Sequence, residues 1–316
     1  MKHFWQWPIA SYLFLGGLGG GMLFLVGILR LGFGYSGEAT SGGVICALVA
    51  LALGCFFLVF ELGQWSKAPR VVLSATAIIK WGAVLLSIAL IAGFFYAVFY
   101  LPGMPGDDAA GITNPLMAIA CIAGLSVCVY TGVLLATMKA HPFWNSPALP
   151  VLFTISAVST GSSLLALTIG IWPSAGGVEA LISGAMQHEM LHTLDSVLVL
   201  VELLVIMLYV ILMASSSNLT AKKVGLRWLK GEFAGWFWGG MVVGGLALPY
   251  LLYGTDGVLS DLVAPVLVIL AGLLLRFLMV YSDDRGMVPG EEDYYRHLPD
   301  KDEAFLHTWE QGRNLY

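Results

Sequence analysis

The sequence is poor in charged side chains, which make up only 11% of its 316 residues. Soluble domains carry about 25% charged residues, so this scarcity excludes an ordinary soluble protein. Apolar side chains make up 58% of the chain instead, and the mean hydropathy is +0.84. The composition therefore predicts an integral membrane protein, and we expect a lipid membrane around it rather than a nucleic-acid partner.

Cysteine is also scarce, and the four cysteines all lie in apolar stretches without any Cys-x-x-Cys pair: Cys46, Cys55, Cys121 and Cys128. An iron–sulfur cluster needs four cysteine ligands at suitable spacing, so we expect no cluster and interpret these residues as small buried apolar side chains. Haem is disfavoured as well. A haem held between two helices needs a histidine from each, whereas His188 and His192 share one face of one predicted helix.

Long apolar runs are the main feature that the sequence does have. A helix needs about 20 mostly apolar residues to cross the hydrocarbon core, and the runs are too long and too continuous for barrel strands. Eight runs qualify, near residues 9–34, 43–65, 77–101, 114–138, 148–172, 189–214, 234–253 and 259–281. The sequence therefore predicts an all-α membrane domain over residues 1–281, with eight transmembrane helices in two four-helix bundles.

A metal-binding pattern lies at the start of the sixth run, after a polar stretch from Trp172 to Gln187 that we expect to be a loop. Residues 188–192 read His-Glu-Met-Leu-His, which fits the helical zinc motif His-Glu-x-x-His, and Asp195 one turn later could supply a third ligand. Such short matches arise by chance, and no second metal-binding segment accompanies this one. We therefore expect neither a metal nor protease activity.

The same helix carries a stripe of titratable residues. His188, His192, Asp195 and Glu202 follow spacings of four, three and seven, so they share one helical face that runs towards the middle of the membrane. Histidines and carboxylates inside helical bundles form proton relays. The alternative is that these groups pair structurally with one another or with Arg276, and the sequence leaves both interpretations open.

Another polar group is expected at a common depth in the first four runs, near the membrane side that holds the termini. A quinone site needs hydrogen-bond donors or a protonatable group at each carbonyl, aromatic walls, and an opening for the isoprenoid tail. Residues of these kinds are Tyr12, Glu61, Gln64, Trp65, Lys80, Trp81 and Tyr130. The alternative is that the aromatic residues form an interfacial belt and that Glu61 pairs with Lys80.

Two motifs carry a resemblance to a known family. The first is Tyr130-Thr131-Gly132, followed by Pro142-Phe143-Trp144-Asn145, then 149–153 as Leu-Pro-Val-Leu-Phe, then Ser159-Thr160-Gly161. The second is the opening Trp5 to Leu15 with the glycine run Gly16–Gly21, which we interpret as a packing surface between helices. These motifs resemble the NrfD/PsrC family of quinone-handling membrane subunits, and the resemblance extends to about Tyr281.

The resemblance implies a subunit that passes electrons between a quinone and a docked ferredoxin-like iron–sulfur subunit. The quinone would be menaquinone or ubiquinone. A molybdopterin catalytic subunit or a cytochrome c would exchange electrons with the iron–sulfur subunit. Tyr130 matches a family tyrosine placed at the quinone. Tyr12 occupies a position where a relative has histidine, and Ile9 replaces an asparagine. The rival from another class is a secondary transporter or proton-conducting subunit, which would have internal repeats and a site at mid-membrane.

Basic residues indicate the orientation. One side of the membrane, which we call the basic face, holds the termini and thirteen lysines and arginines: Lys2, Lys67, Arg70, Lys80, Lys139, Lys222, Lys223, Arg227, Lys230, Arg285, Arg296, Lys301 and Arg313. The opposite face holds Arg30 alone. The positive-inside rule then predicts cytoplasmic termini in a prokaryotic plasma membrane, although the resemblance implies outward-facing termini. A docking surface for an acidic partner, or attraction to lipid headgroups, would give the same clustering.

Two segments are expected to lie outside the membrane core on the basic face. Lys222–Lys230 has the pattern of an interfacial amphipathic helix. The tail from residue 282 to 316 is of mixed charge but rich in aromatic residues, unlike most disordered segments. We therefore expect the tail to pack against a partner subunit.

Overall fold

The computed structural model describes residues 7–61, 78–171, 177–255 and 257–286, and these residues form helices and short connections without any strand. We number the helices in chain order. They are α1 (Trp7–Gly32), α2 (Gly37–Glu61), α3 (Ile78–Val98), α4 (Ala110–Ala136), α5 (Ala148–Ile171), α6 (Gly177–Ala214), α7 (Leu219–Lys230), α8 (Trp236–Leu252) and α9 (Leu259–Val280). Helix α8 is a π-helix over Trp236–Ala247, and α9 opens with a π-helical turn over Leu259–Val263.

Seven of the described helices, α1 to α6 and α9, are long and apolar enough to cross a membrane. Helix α8 is shorter, since it covers only Trp236–Leu252, a length at the lower limit of about 17 residues for a span. The chain is a multi-pass membrane protein, and the predicted all-α fold is confirmed, with α8 as the shortest of the eight apolar helices among the described residues.

The start of α6 differs from the prediction. The helix begins at Gly177, whereas we expected a polar loop as far as Gln187, so that prediction was wrong for residues 177–187. The segment from Val178 to Met186 contains no proline and includes residues that favour helices, such as Glu179, Ala180 and Leu181. The scattered polar residues Glu179, Ser183 and Gln187 concealed this helical propensity.

Helix α1 lies at the centre of the molecule and contacts α2, α4, α5 and α9. Its glycine run makes this possible. A Cβ atom at Gly20 would lie 2.7 Å from the carbonyl oxygen of Gly124 in α4, and one at Gly21 would lie 2.1 Å from that of Ala157 in α5. Small residues allow such close helix approach in membranes, so the predicted role of the glycine run is confirmed.

The helices form two groups that meet along α1 and α5. The first bundle contains α1 to α4, and the second contains α5, α6, α8 and α9. Helix α7 is amphipathic and buries Ala221, Val224 and Trp228. Its first turn is capped by Asn218, whose side chain accepts hydrogen bonds from the backbone of Thr220 and Ala221 at 3.0 and 3.2 Å. The predicted amphipathic segment is therefore a helix that starts three residues earlier than expected.

Candidate functional site

Two tyrosines of the first bundle form the centre of the candidate site, which we call the tyrosine pocket. Tyr12 of α1 and Tyr130 of α4 are 1% and 6% exposed. The ring of Tyr130 lies directly against Gly82 of α3, where a Cβ atom would lie 2.1 Å from Cζ and 2.4 Å from Oη of the tyrosine. Any side chain at position 82 would therefore displace the phenol ring.

The neighbours of Gly16 place Tyr12 beside the same part of α4. A Cβ atom at Gly16 would lie 3.8 Å from the Tyr12 ring and 3.8 Å from the side chains of Val127 and Thr131. Thr131 follows Tyr130 directly, so the two tyrosines lie at similar depth.

Aromatic side chains flank the pocket on the basic face. Trp7 packs edge-on against Phe57 at 5.7 Å between ring centroids, and it also lies 6.4 Å from Phe60. Glu61 ends α2 immediately after Phe60, but its side chain lies outside the described residues, as do Gln64 and Trp65 entirely. The side chains of these three proposed site residues are therefore not located by the structure.

The two proposed residues of α3 have different environments. Lys80 is half-buried and precedes Gly82 by two residues in α3, so it lies at a depth similar to that of the Tyr130 ring. Trp81 is 63% exposed and points away from the bundle. The structure thus brings Tyr12 and Tyr130 together and leaves Trp81 on the lipid-facing surface, where belt aromatics are found. Sequence reasoning missed Gly82, because an isolated glycine in a helix does not reveal which ring it faces.

The second bundle contains a series of buried polar groups between α5, α6 and α9, which we call the polar seam. Asp195 is fully buried, and its Oδ2 accepts hydrogen bonds from Ser163 Oγ at 3.2 Å and from Tyr253 Oη at 2.9 Å. His192 lies nearer the opposite face, with its Nδ1 at 2.9 Å from Ser260 Oγ. His188 belongs to α6 as well, but its side chain lies outside the described residues.

The inner end of the seam is formed by Glu202 and Arg276, which are 3% and 1% exposed. Arg276 donates to Ser156 Oγ and, at 3.1 Å, to the carbonyl oxygen of Phe153, and its guanidinium lies 4.6 Å from the centre of the Phe153 ring. Glu202 lies within electrostatic range of Arg276 and beside Ser156 and Ser159, yet no direct ion pair joins the two charges. Structural pairing with Arg276 is therefore incomplete.

A layer of hydrogen bonds covers the basic face around the loop after α4. Trp144 Nε1 donates to the carbonyl oxygen of Met279 at 2.8 Å, and Trp228 Nε1 donates to Ser282 Oγ at 2.8 Å. Arg227 forms an ion pair with Asp284. Burial lowers the pKa of the neighbouring His141, while Asp283 acts in the opposite direction. The loop, α7 and the start of the tail therefore form one connected surface.

Comparison with known proteins identifies the relatives of this protein. The C subunit of polysulfide reductase from Wolinella succinogenes is 28% identical over 308 residues, which cover 88% of this sequence and 93% of the relative. Protein NrfD of Escherichia coli is 26% identical over 309 residues, covering 88% and 94%. The NrfD homolog of Haemophilus influenzae is 25% identical over 277 residues, covering 78% and 82%. The model of the family described as polysulphide reductase, NrfD, matches residues 1–283. The chain therefore belongs to the NrfD family.

Proposed function

We propose that this protein is the quinone-handling membrane subunit of a multi-subunit respiratory oxidoreductase. The observation that carries the proposal is the tyrosine pocket, in which two buried phenol groups from α1 and α4 lie at one depth, with the Tyr130 ring against Gly82 of α3. The similarity to a subunit of polysulfide reductase supports the same assignment. Ligand sites are commonly apolar with a few polar groups that fix orientation, and the two phenol groups among apolar side chains would supply such polar groups.

The chemistry proposed for the pocket is proton-coupled exchange of two electrons. Oxidation of a quinol breaks two O–H bonds, releases two protons, and sends two electrons to an external acceptor. The hydroxyls of Tyr12 and Tyr130 would hold the quinone oxygens, Trp7 and Phe57 would form part of the apolar wall, and Glu61 or Lys80 would exchange protons. We propose that the external acceptor or donor is an iron–sulfur subunit.

We propose that this partner docks on the basic face. The tyrosine pocket lies towards this face, and the loop after α4, α7 and residues 282–286 form a connected surface there. Exposed lysines such as Lys223 would attract acidic groups of the partner. A molybdopterin subunit or a cytochrome c would complete the electron path. We further propose that the termini face the cytoplasm, as the positive-inside rule predicts.

A second role, proton conduction, is favoured by the polar seam. His188, His192, Asp195 and Glu202 run along α6 from the opposite face towards the interior, and two of them are deeply buried. Ionisable residues inside membrane bundles are costly and mark proton or substrate pathways. We therefore propose this stripe as the proton path that accompanies quinone turnover. A transporter or proton-conducting subunit without quinone chemistry would use the seam but not the tyrosine pocket.

The test is quinol-linked turnover in the purified complex carrying Tyr130→Phe. Misplacement of a reacting group by about 1 Å can cost a hundredfold in rate, so loss of the hydroxyl that holds a quinone oxygen should lower turnover by about this factor with normal assembly of the complex. Tyr250→Phe is the matched control, because Tyr250 of α8 is 45% exposed on the outer surface. Glu61→Gln should act like Tyr130→Phe. Unchanged turnover in both site variants would remove these residues from the site.

A further inference from the structure

Five buried polar atoms along the polar seam have no hydrogen bond within the described part of the chain. They come from three helices and are Ser159 Oγ and Ser162 Oγ of α5, Asp195 Oδ1 and Glu202 Oε2 of α6, and Arg276 Nε of α9. Buried polar groups in proteins are nearly always hydrogen-bonded, to protein or to ordered water. Ser162 lies beside Asp195 and Ser159 lies beside Glu202, so the five atoms form one polar series with more hydrogen-bonding capacity than its protein partners satisfy.

The arrangement of the serines favours water as the additional partner. Ser156, Ser159 and Ser163 recur at spacings of three and four, so they line the same face of α5, and all three are fully buried. This face meets the carboxylates of α6, since Ser163 bonds Asp195 and Ser159 lies beside Glu202. Buried water needs a polar cavity with two to four polar partners. Hydroxyls and carboxylates in a row provide such hydrogen-bond partners at successive positions along the seam.

The inner end of the seam approaches the tyrosine pocket through α1. A Cβ atom at Gly17 would lie 3.4 Å from Nη2 of Arg276, so no side chain separates the guanidinium from this helix. On α4, Cys128 contacts the carbonyl oxygen of the same glycine with its Sγ at 3.5 Å. Tyr12 is five residues from Gly17, a rise of about 7.5 Å along the helix. Arg276 is thus the seam residue that lies closest to the pocket along α1.

We propose that the seam binds a file of water molecules from Asp195 to Glu202, and that Arg276 closes its inner end. The proposal rests on the proposed function, because the protons are those released when a quinol loses two electrons to the iron–sulfur partner. Protons pass along the file by exchange between water, serine hydroxyls and carboxylates. The positive charge of Arg276 repels an excess proton and so slows proton leakage along the file.

The experiment uses the whole complex reconstituted in vesicles that contain a pH-sensitive dye. Quinol oxidation by a soluble acceptor is measured in detergent, and proton transfer to the opposite face is measured in the vesicles. Ser159→Leu fills the file with an apolar side chain. We expect it to retain turnover in detergent within about threefold while proton transfer falls at least tenfold, an effect comparable to the loss of a proton-transfer group. The double variant Ser159→Ala with Ser162→Ala should also lower proton transfer. It provides the test if the leucine variant fails to fold.

The matched control is Ser196→Ala, because the hydroxyl of Ser196 is bonded to the carbonyl oxygen of Thr193 in its own helix at 2.8 Å and does not face the seam. Its proton transfer should equal that of the wild type. Equal proton transfer in the Ser159→Leu variant, or no proton transfer to the opposite face by an active wild type, would overturn the water file. A wild type without any quinol oxidation would instead contradict the proposed function.

The role of Arg276 has a separate readout in the same vesicles. A pH gradient imposed without quinol should decay at least tenfold faster in Arg276→Met than in the wild type, whereas Arg276→Lys should retain a slow decay because it keeps the charge. If Arg276 had only a structural role, the rate of decay would not depend on whether the substituted side chain keeps the positive charge. Equal decay in the methionine variant and the wild type would overturn the assignment of Arg276 as the closing residue.

Discussion

The tyrosine pocket and the polar seam differ in how they distribute their polar groups. In the pocket, Tyr12 and Tyr130 lie at one depth, surrounded by apolar and aromatic side chains. In the seam, polar groups follow one another along the depth of the second bundle, from His192 through Asp195 to Glu202. A compact group suits the fixed orientation of one ligand, whereas an extended series suits the passage of protons. We therefore propose that the two bundles serve different steps of one reaction.

The strongest test of this comparison is a substitution that fills the pocket without touching the seam. Gly82→Leu should displace the Tyr130 ring, because even a Cβ atom would overlap it at 2.1 Å. Misplacement of a reacting group by about 1 Å can cost a hundredfold in rate, so we expect quinol turnover to fall by about this factor or more.

Gly239→Leu is the control for this variant, because a Cβ atom at Gly239 would meet no other atom within 4 Å. Quinol turnover is measured in both variants, and only Gly82→Leu should lower it. A complex with Gly82→Leu that assembles and turns over normally would show that the pocket does not bind the substrate.

A deletion of the tail tests whether the tyrosine pocket depends on a docked iron–sulfur subunit. Removal of residues 291–316 should weaken retention of the iron–sulfur subunit on purification, because the tail is proposed to extend the basic face. The bundles should stay folded, since residues 282–286 remain and keep the contact of Trp228 with Ser282. Co-purification measures the effect, and circular dichroism measures the fold. Full retention of the partner would refute the role given to the tail.

The histidines of α6 test the seam alone. The double variant His188→Ala with His192→Ala should keep electron transfer from an artificial donor but alter proton coupling in vesicles, because the outer end of the seam loses its relay groups. We also expect no zinc in the purified wild type. Identical coupling in the variant would reduce the stripe to structural pairing, and stoichiometric zinc in the wild type would revive the metal-site hypothesis.

The smallest effect is expected for Trp81. Its side chain is 63% exposed, and substitutions on exposed surfaces usually change stability by no more than about 0.5 kcal/mol. Trp81→Leu should therefore leave quinol turnover within about twofold of the wild type. A loss as large as that of Tyr130→Phe in the same turnover assay would place Trp81 in the pocket, against its orientation in the structure.

The positions of the apolar spans, the packing glycines and the common depth of Tyr12 and Tyr130 could be predicted from the sequence, because hydropathy and position within a span report these directly. The contact of Gly82 with Tyr130 could not be predicted, because it depends on how two helices rotate against each other. The α5 serines were missed for a related reason. A serine or threonine in a helix can bond its own backbone, as Thr154 and Thr160 do, and only the facing helix distinguishes Ser159 and Ser163 from them.

The most direct test of the central claim is equilibrium binding of a short-tailed quinone to the purified complex, measured by calorimetry. Loss of two hydrogen bonds of about 1 kcal/mol each predicts that Tyr12→Phe with Tyr130→Phe raises Kd about thirtyfold. Glu202→Gln in the seam should leave Kd unchanged. An unchanged Kd in the double tyrosine variant, or a loss of binding in Glu202→Gln, would contradict the assignment of the quinone to the tyrosine pocket.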